Sequence, residues 1–191
     1  MKIGVLAVQG DFELHQKMLD KLGIENIAVR TPEQLKECDG LIIPGGESTT
    51  FIKLLKENHL DTAIEKFGKT RQIMGTCAGL ITLSRHVKNY KMETLNLIDV
   101  EVARNAYGRQ IDSFVDEIEL NLNGKVKRFE GVFIRAPKIE KIGEGVRALA
   151  FHNDEIVMAE NGNIIIATFH PELTDDTYIH EYFIKKIDTK S

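Results

Sequence analysis

Short apolar segments of strand length alternate with amphipathic helical segments through the first half of this chain. Ile3–Val8 is a continuous apolar run, which is typical of a strand buried on both faces. Phe12, His15 and Leu19 then recur at helical spacing behind Asp11, a residue type that caps helices. The other predicted strands of this half are Ile24–Val29, Gly40–Ile43 and Gln72–Met74, and its other predicted helices are Pro32–Glu37, Ser48–Leu55 and Leu80–His86. This alternation predicts the α/β fold class: an open, mostly parallel sheet between two layers of helices.

The second half has a different pattern, in which short strands are separated by tight turns. Asn123-Gly124 and Asn161-Gly162-Asn163 are strong hairpin-turn signals. The predicted strands are Leu97–Val102, Phe114–Leu120, Val126–Phe129, Val132–Ile134, Val146–Phe151, Glu155–Ala159 and Ile164–Phe169, followed by a final helix at Thr177–Ile187. We therefore expect an antiparallel extension of the parallel sheet.

Size and composition predict one domain over residues 1–187, followed by a disordered tail at 188–191. The 191 residues correspond to about one domain at roughly 150 residues per domain. No linker, charge block or internal repeat divides them. The chain has 25 Lys and Arg against 29 Asp and Glu, a net charge of −4 with the two signs mixed. This balance argues against binding to the phosphate backbone of a nucleic acid.

The sequence also favours a cytoplasmic protein over a membrane-bound or secreted one. No apolar stretch approaches the roughly 20 residues of a membrane span. The first apolar run stops at Gln9-Gly10-Asp11, which is too early for a signal peptide. Without a secretion signal, Cys38 and Cys77 are expected to be free thiols in a reducing compartment.

Cys77 lies in a strand-to-helix turn that resembles a nucleophile elbow. Gly75-Thr76-Cys77-Ala78-Gly79 is the thiol counterpart of the Gly-x-Ser-x-Gly motif, in which flanking glycines allow a sharp, strained turn. A helix N-terminus then favours the thiolate. The alternative is a small buried cysteine in a glycine-rich turn. Cys38, in Lys36-Glu37-Cys38-Asp39, has no such glycines and is expected to be structural.

A thiol nucleophile needs a base, and His170-Pro171-Glu172 follows a predicted strand. Residues two apart in an extended backbone project to the same side, so Glu172 can orient one nitrogen of His170 while the other faces Cys77. The alternative is a strand-end histidine beside a solvated glutamate. Of the other histidines, His15, His59, His86 and His180 fall in or at the ends of predicted helices, where solvated or capping roles are expected, and His152 enters a hairpin turn.

Acyl chemistry also needs N–H donors for a developing oxyanion. The Ala78 N–H follows the nucleophile, and Gly45-Gly46 lets backbone N–H groups approach from the neighbouring strand end. Pro44–Ser48 can alternatively be a simple turn in which Ser48 is the N-cap. It lacks the spacing and the lysine of a phosphate-binding loop. No Cys or His cluster has zinc spacing, so a metal site is not expected. No cofactor is predicted.

The motifs Pro44–Ser48, Gly75–Gly79 and Phe169–Glu172 together resemble those of the class I, or triad, glutamine amidotransferases. Two further segments narrow the resemblance to the glutaminase subunits of pyridoxal 5′-phosphate synthases. They are Gly4–Gly10 and Arg104–Gln110. The resemblance runs from residue 1 to about residue 185 and implies a flavodoxin-like three-layer fold.

The resemblance implies a role for each residue of the predicted centre. Cys77 attacks the side-chain carboxamide of L-glutamine and forms a γ-glutamyl thioester. His170 protonates the departing ammonia and later activates water, while Glu172 orients His170. The N–H groups of Gly46 and Ala78 form the oxyanion hole. Glutamine is held by Gly46-Glu47-Ser48, by Arg104 and by the backbone around Ile134 and Arg135.

The resemblance also implies a partner, a (β/α)₈-barrel synthase subunit that receives the ammonia and makes pyridoxal 5′-phosphate (vitamin B6 biosynthesis). Glutaminases of this kind are poorly active until docked. We hypothesise that the Gln9-Gly10 loop and the Gly45-Gly46 peptide form the switch, since a glycine-flanked peptide flips at low cost.

Three other interpretations stay open at this point. The chain can be a stand-alone thiol hydrolase of the DJ-1 type, although His-Pro-Glu after the last strand is then unexplained. It can be the glutaminase of another pathway, such as histidine, GMP or anthranilate synthesis, which the Arg104–Gln110 segment disfavours. It can also be a non-catalytic subunit with a decayed site, which the intact Cys77, His170 and Glu172 disfavour.

Overall fold

The structure, a computed structural model, describes residues 1–104 and 113–189. These residues form twelve strands in two sheets and six α-helices. The strands are β1 Lys2–Leu6, β2 Glu25–Val29, β3 Gly40–Ile43, β4 Gln72–Thr76, β5 Ser84–Val87, β6 Ile98–Ala103, β7 Ser113–Leu122, β8 Lys125–Ile134, β9 Lys138–Ile142, β10 Arg147–His152, β11 Glu155–Glu160 and β12 Ile164–Ala167. The helices are α1 Phe12–Lys21, α2 Pro32–Lys36, α3 Ser48–Glu57, α4 Leu60–Gly68, α5 Ala78–Leu83 and α6 Tyr178–Asp188, and Pro171–Leu173 forms a short 3₁₀ helix.

The large sheet has nine strands in the order β2-β1-β3-β4-β12-β11-β10-β7-β8. Its first five strands are mutually parallel, and every pairing from β12 to β8 is antiparallel. The predicted α/β class, a mostly parallel sheet with an antiparallel extension, is therefore confirmed. The reason lies in the connections: helices alone join β1, β2, β3 and β4 in succession, whereas Asn123-Gly124 joins β7 to β8 as a hairpin with both residues at positive φ.

Helices cover both faces of the parallel half, as predicted. Leu19 of α1 and Phe183 of α6 are buried in the core on one face, together with side chains of β7 and β8. Phe51 of α3 and Ile64 of α4 are buried in the core on the other face. The parallel strands are consequently covered from both sides, which explains why their sequences are continuous apolar runs.

The segment predicted as a helix at Leu80–His86 divides into two elements. Helix α5 ends at Leu83, and Ser84 has extended backbone angles (φ −62°, ψ 160°) and starts β5. The hydroxyls of Thr82 and Ser84 donate to the carbonyls of Ala78 and Ile81 (2.9 and 2.7 Å), which occupies acceptors in the last turn of the helix. His86 therefore lies on β5, which pairs with β6 in a small sheet ordered β5-β6-β9.

Other boundaries also differ from the sequence prediction. Val126–Phe129 and Val132–Ile134 belong to one strand, β8, because Gly131 continues the ladder opposite Asp116 instead of breaking it. Helix α4 and strand β9 were not predicted. The last helix includes Asp188, the first residue of the tail expected to be disordered, and Thr189 follows as its C-cap.

The helices of the described residues are all too short or too polar to cross a lipid bilayer.

Candidate active site

The strand ends that carry the predicted motifs meet at one edge of the large sheet. The strands β1, β3, β4 and β12 are parallel, so their carboxyl ends lie on the same side. Strand β8 runs in this direction too, because four successive antiparallel pairings separate it from β12. The His170 N–H donates to the Val132 carbonyl at 2.8 Å and connects the two ends directly. The edge is thus the place where ligands bind in open α/β sheets.

Cys77 occupies a strained turn between β4 and α5. Its φ of 47° and ψ of −103° lie outside the regions that L-residues ordinarily adopt. The flanking glycines are required by packing: a Cβ on Gly79 would collide with the Ile43 carbonyl, and one on Gly75 would lie 2.8 Å from the Gly79 carbonyl carbon. The thiol is 8% exposed and lies 3.8 Å from the Ile134 carbonyl oxygen. The geometry is that of a nucleophile elbow, as the sequence motif predicts.

His170 and Glu172 form a close buried pair beside this turn. Nδ1 of His170 is 2.7 Å from Oε1 of Glu172, and the two side chains are only 8% and 1% exposed. Pro171 starts the short 3₁₀ helix that turns the Glu172 side chain back toward the imidazole. The other ring nitrogen, Nε2, is buried and makes no hydrogen bond within the described residues. It is therefore available to a proton from a thiol or a substrate.

Gly45 shows how close His170 and Cys77 are to each other. A Cβ built on Gly45 would lie 2.5 Å from Cε1 of His170 and 3.5 Å from the Cβ of Cys77. The imidazole and the cysteine therefore border the same small space, which is open because this position lacks a side chain.

The charges of this centre favour an imidazolium beside a carboxylate. Burial alone would lower the pKa of His170, but the Cys77 sulfur and the Glu172 carboxylate raise it to about 10. Burial would likewise raise the pKa of Glu172, but the His15 and His170 imidazoles that face it lower it to about 2. Glu172 is consequently ionised at neutral pH and suited to orienting His170.

The loop after β1 packs against the loop after β3 through glycines at both contact points. A Cβ on Gly10 (φ 83°) would collide with the Gly45 carbonyl, and one on Gly46 (φ 147°) would lie 2.6 Å from Nε2 of Gln9. Nε2 of Gln9 also donates to the Glu47 carbonyl at 3.4 Å. The structure thus brings the two predicted switch segments into direct contact.

Glu47 and Arg104, both predicted to hold substrate, form an ion pair. Nη2 of Arg104 is 3.1 Å from Oε1 of Glu47, and its guanidinium lies 4.5 Å from the centre of the Tyr90 ring. The Glu47 carboxylate also accepts hydrogen bonds from Thr49 and from the N–H of Thr50, and these lower its pKa to about 2. Glu47 is therefore the N-cap of α3, a role that the sequence had suggested for Ser48.

The remaining predicted residues lie around the same edge. The hydroxyl of Ser48 is buried and makes no hydrogen bond within the described residues. Ala78 is the first residue of α5, so its N–H has no acceptor within the helix. Ile134 and Arg135 are exposed at the end of β8, where Arg135 has a φ of 43°. Of the Arg104–Gln110 segment, residues 105–110 lie outside the described part of the chain.

Two histidines of this centre were wrongly expected to be solvated or capping. His15 of α1 and His180 of α6 are both 0% exposed, and His15 lies directly behind Glu172. A signal was present in the sequence: His15 shares the apolar face of its helix with Leu19, and His180 stands three residues before Phe183 and seven before Ile187 on the apolar face of its own helix. A histidine on the buried face of a helix cannot be a solvated one.

The other cysteine and histidines make no contribution to this edge. Burial raises the pKa of the Cys38 thiol to about 11, and the thiol donates to the Gln34 carbonyl at 3.3 Å, which fits a structural residue. His59 and His86 are exposed, and His152 pairs with Asp116 at 2.9 Å. Among the described residues, no cluster of three or more His, Cys, Asp or Glu side chains is arranged to bind a metal ion.

An open α/β sheet with a cysteine elbow beside a buried His–Glu pair defines the class I glutamine amidotransferases, the class that the sequence motifs resemble. The chain belongs to the SNO glutamine amidotransferase family, which matches residues 5–189. It is 50% identical over 188 residues to pyridoxal 5′-phosphate synthase subunit PdxT of Thermosipho africanus, covering 98% of this chain and 99% of that protein. The corresponding subunit of Thermotoga neapolitana is 49% identical over 188 residues, covering 98% and 100%. A crystal structure of a glutamine amidotransferase superposes with a TM-score of 0.92 at 41% identity, covering 97% of this chain and 98% of that one.

Proposed function

We propose that this chain is the glutaminase subunit of a pyridoxal 5′-phosphate synthase: it hydrolyses L-glutamine to glutamate and ammonia and passes the ammonia to a synthase subunit. The observation that carries the proposal is the alignment of Cys77, His170 and Glu172 at one sheet edge, with the thiol on a strained elbow and the imidazole bound to a buried carboxylate. Two comparisons support it: the chain belongs to the amidotransferase family, and it is 50% identical to a synthase subunit over 98% of its length.

In the proposed reaction, the Cys77 thiolate attacks the side-chain carbonyl carbon of glutamine. The tetrahedral oxyanion collapses as His170 donates its proton to the leaving nitrogen, so that ammonia departs and a γ-glutamyl thioester remains. His170 then takes a proton from water, whose oxygen attacks the thioester. Glutamate leaves and the thiolate is regenerated. Glu172 keeps one nitrogen of His170 bound throughout, which leaves the other directed at the reacting atoms.

The proposed oxyanion hole consists of the N–H groups of Gly46 and Ala78. The Ala78 N–H has no helical acceptor, and Gly46 has a φ of 147°, a conformation that only glycine adopts readily. Proposed contacts to the glutamine α-amino and α-carboxylate groups come from Gly46-Glu47-Ser48, from Arg104 and from the backbone of Ile134 and Arg135. Because the Glu47 carboxylate already binds Arg104 and the first turn of α3, we assign its side chain to holding Arg104 in place.

The proposed partner is a (β/α)₈-barrel synthase subunit, and the proposed switch is the contact between Gln9-Gly10 and Gly45-Gly46. Any rotation of the Gly45–Gly46 peptide must displace its carbonyl from Gly10, because a side chain at Gly10 would already overlap that oxygen. Movement of the β1 loop upon docking is therefore coupled to the direction of the Gly46 N–H.

We further propose a cytoplasmic location, consistent with two free cysteines, and no nucleic-acid ligand.

Glutamine hydrolysis measured with and without a pyridoxal 5′-phosphate synthase barrel subunit tests this function. We expect release of glutamate and ammonia that increases with the barrel subunit, and we expect a glutamine-mimicking electrophile to label Cys77 alone. Cys77→Ala should abolish hydrolysis without unfolding the chain, and Cys38→Ala is the matched control that should retain it. Absence of hydrolysis with the barrel subunit present, or equal turnover in Cys77→Ala, would contradict the proposal.

A further inference from the structure

Two fully buried histidines lie behind the Glu172 carboxylate, and the proposed reaction uses neither. His15 Nε2 is 3.3 Å from Glu172 Oε2 and 3.3 Å from the hydroxyl oxygen of Thr76. His15 Nδ1 is 2.9 Å from Nε2 of His180. These contacts extend the line of polar side chains from Cys77, His170 and Glu172 through α1 to α6. Buried polar groups are costly unless they are paired, so such a row requires an explanation.

Burial favours the neutral form of both imidazoles. It lowers the pKa of His15 against the opposing effect of the Glu172 carboxylate, and together with His15 it lowers the pKa of His180 to about 3. A neutral imidazole carries one N–H and one lone pair, so each ring must place its single hydrogen on one side. The placement follows from the charge at the end of the row, since an ionised carboxylate accepts hydrogen bonds and donates none.

The ionised Glu172 therefore determines both tautomers. His15 must direct its Nε2–H toward the carboxylate and Thr76, which leaves a lone pair on Nδ1. His180 must then donate its Nε2–H to that lone pair at 2.9 Å. Nδ1 of His180 is left without a hydrogen, and it is the atom of this ring that has no hydrogen-bond partner within the described residues. The opposite tautomers would place a lone pair of His15 against a negative charge.

We propose that His15, oriented by His180, is a positioning residue that holds the Glu172 carboxylate in the direction required to orient His170. Oε1 of Glu172 binds His170, whereas Oε2 has no contact of hydrogen-bond geometry and faces the His15 N–H. Without that N–H the carboxylate can rotate about its Cγ–Cδ bond, and this rotation weakens the hydrogen bond between Oε1 and Nδ1 of His170. This inference rests on the proposed glutaminase function and adds residues from α1 and α6 to it.

Two amide substitutions at position 15 separate positioning from packing. In His15→Gln the amide reaches the place of Nε2 and keeps a donor toward Glu172, but the partner of His180 is lost. In His15→Asn the amide reaches only the place of Nδ1, so the partner of His180 is kept and the donor toward Glu172 is lost. Both replacements are polar, uncharged and smaller than histidine, which makes each the matched control of the other.

The experiment measures glutamine hydrolysis by each variant in complex with the synthase subunit. Positioning predicts a fall in kcat of about 10- to 100-fold for His15→Asn, as for other residues that orient a reacting group, with KM changed less than about twofold and most of kcat retained by His15→Gln. Equal losses in the two variants, or parental kcat in His15→Asn, would overturn the proposal. Rates are expressed per thiol labelled to completion by a glutamine-mimicking electrophile, so that unfolded protein does not lower the measured kcat.

If His15→Asn yields no folded complex, His180→Phe tests the same proposal. Phenylalanine keeps an aromatic ring in the core but removes the N–H that binds Nδ1 of His15 and holds its ring toward Glu172. A fall in kcat at unchanged KM supports the positioning role, and parental kcat contradicts it. If the proposed glutaminase function is itself wrong, the unsubstituted complex shows no glutamine hydrolysis. That result is distinguishable from failure of the positioning role, which concerns only the variants.

Discussion

The parallel and antiparallel halves of the large sheet contribute differently to the candidate site. Strands β3, β4 and β12 are buried at every position, whereas exposed and buried residues alternate at the end of β7. The parallel half carries Cys77, His170 and Glu172, and the antiparallel half carries Ile134 and Arg135. Strands covered on both faces cannot shift without disturbing two cores, so the groups that need the most accurate placement lie at their ends.

The comparison also shows how the two halves tolerate strain. The Cys77 elbow has an unfavourable backbone conformation and lies between two glycines at positions without room for a side chain: a Cβ on Gly79 would collide with the Ile43 carbonyl, and one on Gly75 would lie 2.6 Å from Cδ1 of Leu83. The turns of the antiparallel half place Asn123 and Asn153 at positive φ, which asparagine adopts at low cost. The elbow that presents the nucleophile is therefore strained, whereas the hairpin turns at Asn123 and Asn153 use residues suited to their conformation.

The largest expected effect concerns the buried carboxylate of the parallel half. Glu172→Gln keeps the volume but replaces the ionised acceptor, so His170 loses the group that orients it. We expect kcat for glutamine hydrolysis in the complex to fall by about 10³- to 10⁴-fold, as when the acid of a related triad is replaced by its amide. Glu117→Gln, an exposed glutamate of β7, is the control from the other half and should retain parental kcat. A loss of less than about tenfold in Glu172→Gln would mean that His170 does not need this carboxylate.

The same variant yields a pH dependence of stability. The pKa of Glu172 is lowered to about 2 in the folded protein, so its ionised form stabilises the fold above the unfolded value near 4.5. That stabilisation is lost as the pH falls from about 4.5 toward 2. Urea unfolding across this range should therefore show the free-energy difference between the parent and Glu172→Gln shrinking in acid. A difference that does not vary with pH would contradict the assigned ionisation.

Replacing a glycine by alanine should lower the free energy of unfolding much more at the Cys77 elbow than in a turn of the antiparallel half. Gly79→Ala places a Cβ against the backbone of β3, which cannot move aside, whereas a Cβ on Gly162, in the β11–β12 turn, meets nothing within 4 Å. We expect the free energy of unfolding to fall by about 3 kcal/mol for Gly79→Ala and to change by less than about 0.5 kcal/mol for Gly162→Ala. Similar values for the two variants in denaturant titrations would show that the elbow is not tightly packed.

The smallest expected effect compares two valines. Val5 of β1 is 0% exposed and Val115 of β7 is 59% exposed. Val5→Ala should lower the free energy of unfolding by about 2 kcal/mol, since it removes two buried carbon atoms and leaves a cavity. Val115→Ala should change it by less than about 0.5 kcal/mol. Thermal or urea unfolding measures both, and a loss at Val115 as large as at Val5 would indicate that the outer face of β7 is covered.

Much of the fold follows from local pattern, and the errors have identifiable causes. Thr31 and Pro32 predict the start of α2, and the structure shows a capping box between Thr31 and Gln34. Helix α4 has no such signal, because its N-cap, His59, is in the left-handed conformation and makes no capping hydrogen bond. Strand β9 has only two apolar residues among five and no regular alternation. Ile139 is buried and Ile142 is partly buried, in a small sheet whose existence no local pattern indicates.

What the sequence determined by itself was the chemistry of each strand end: a thiol between glycines, a His-Pro-Glu turn and a pair of adjacent glycines. Each is a local motif, in which neighbouring residues impose a backbone conformation and supply a reactive group. Only the tertiary structure decided which of these groups stand within reach of one another. It brought Gly45 against His170, Glu47 against Arg104, and the buried His15 behind Glu172. Such contacts join residues far apart in the chain, and strand order and helix packing rather than local propensity create them.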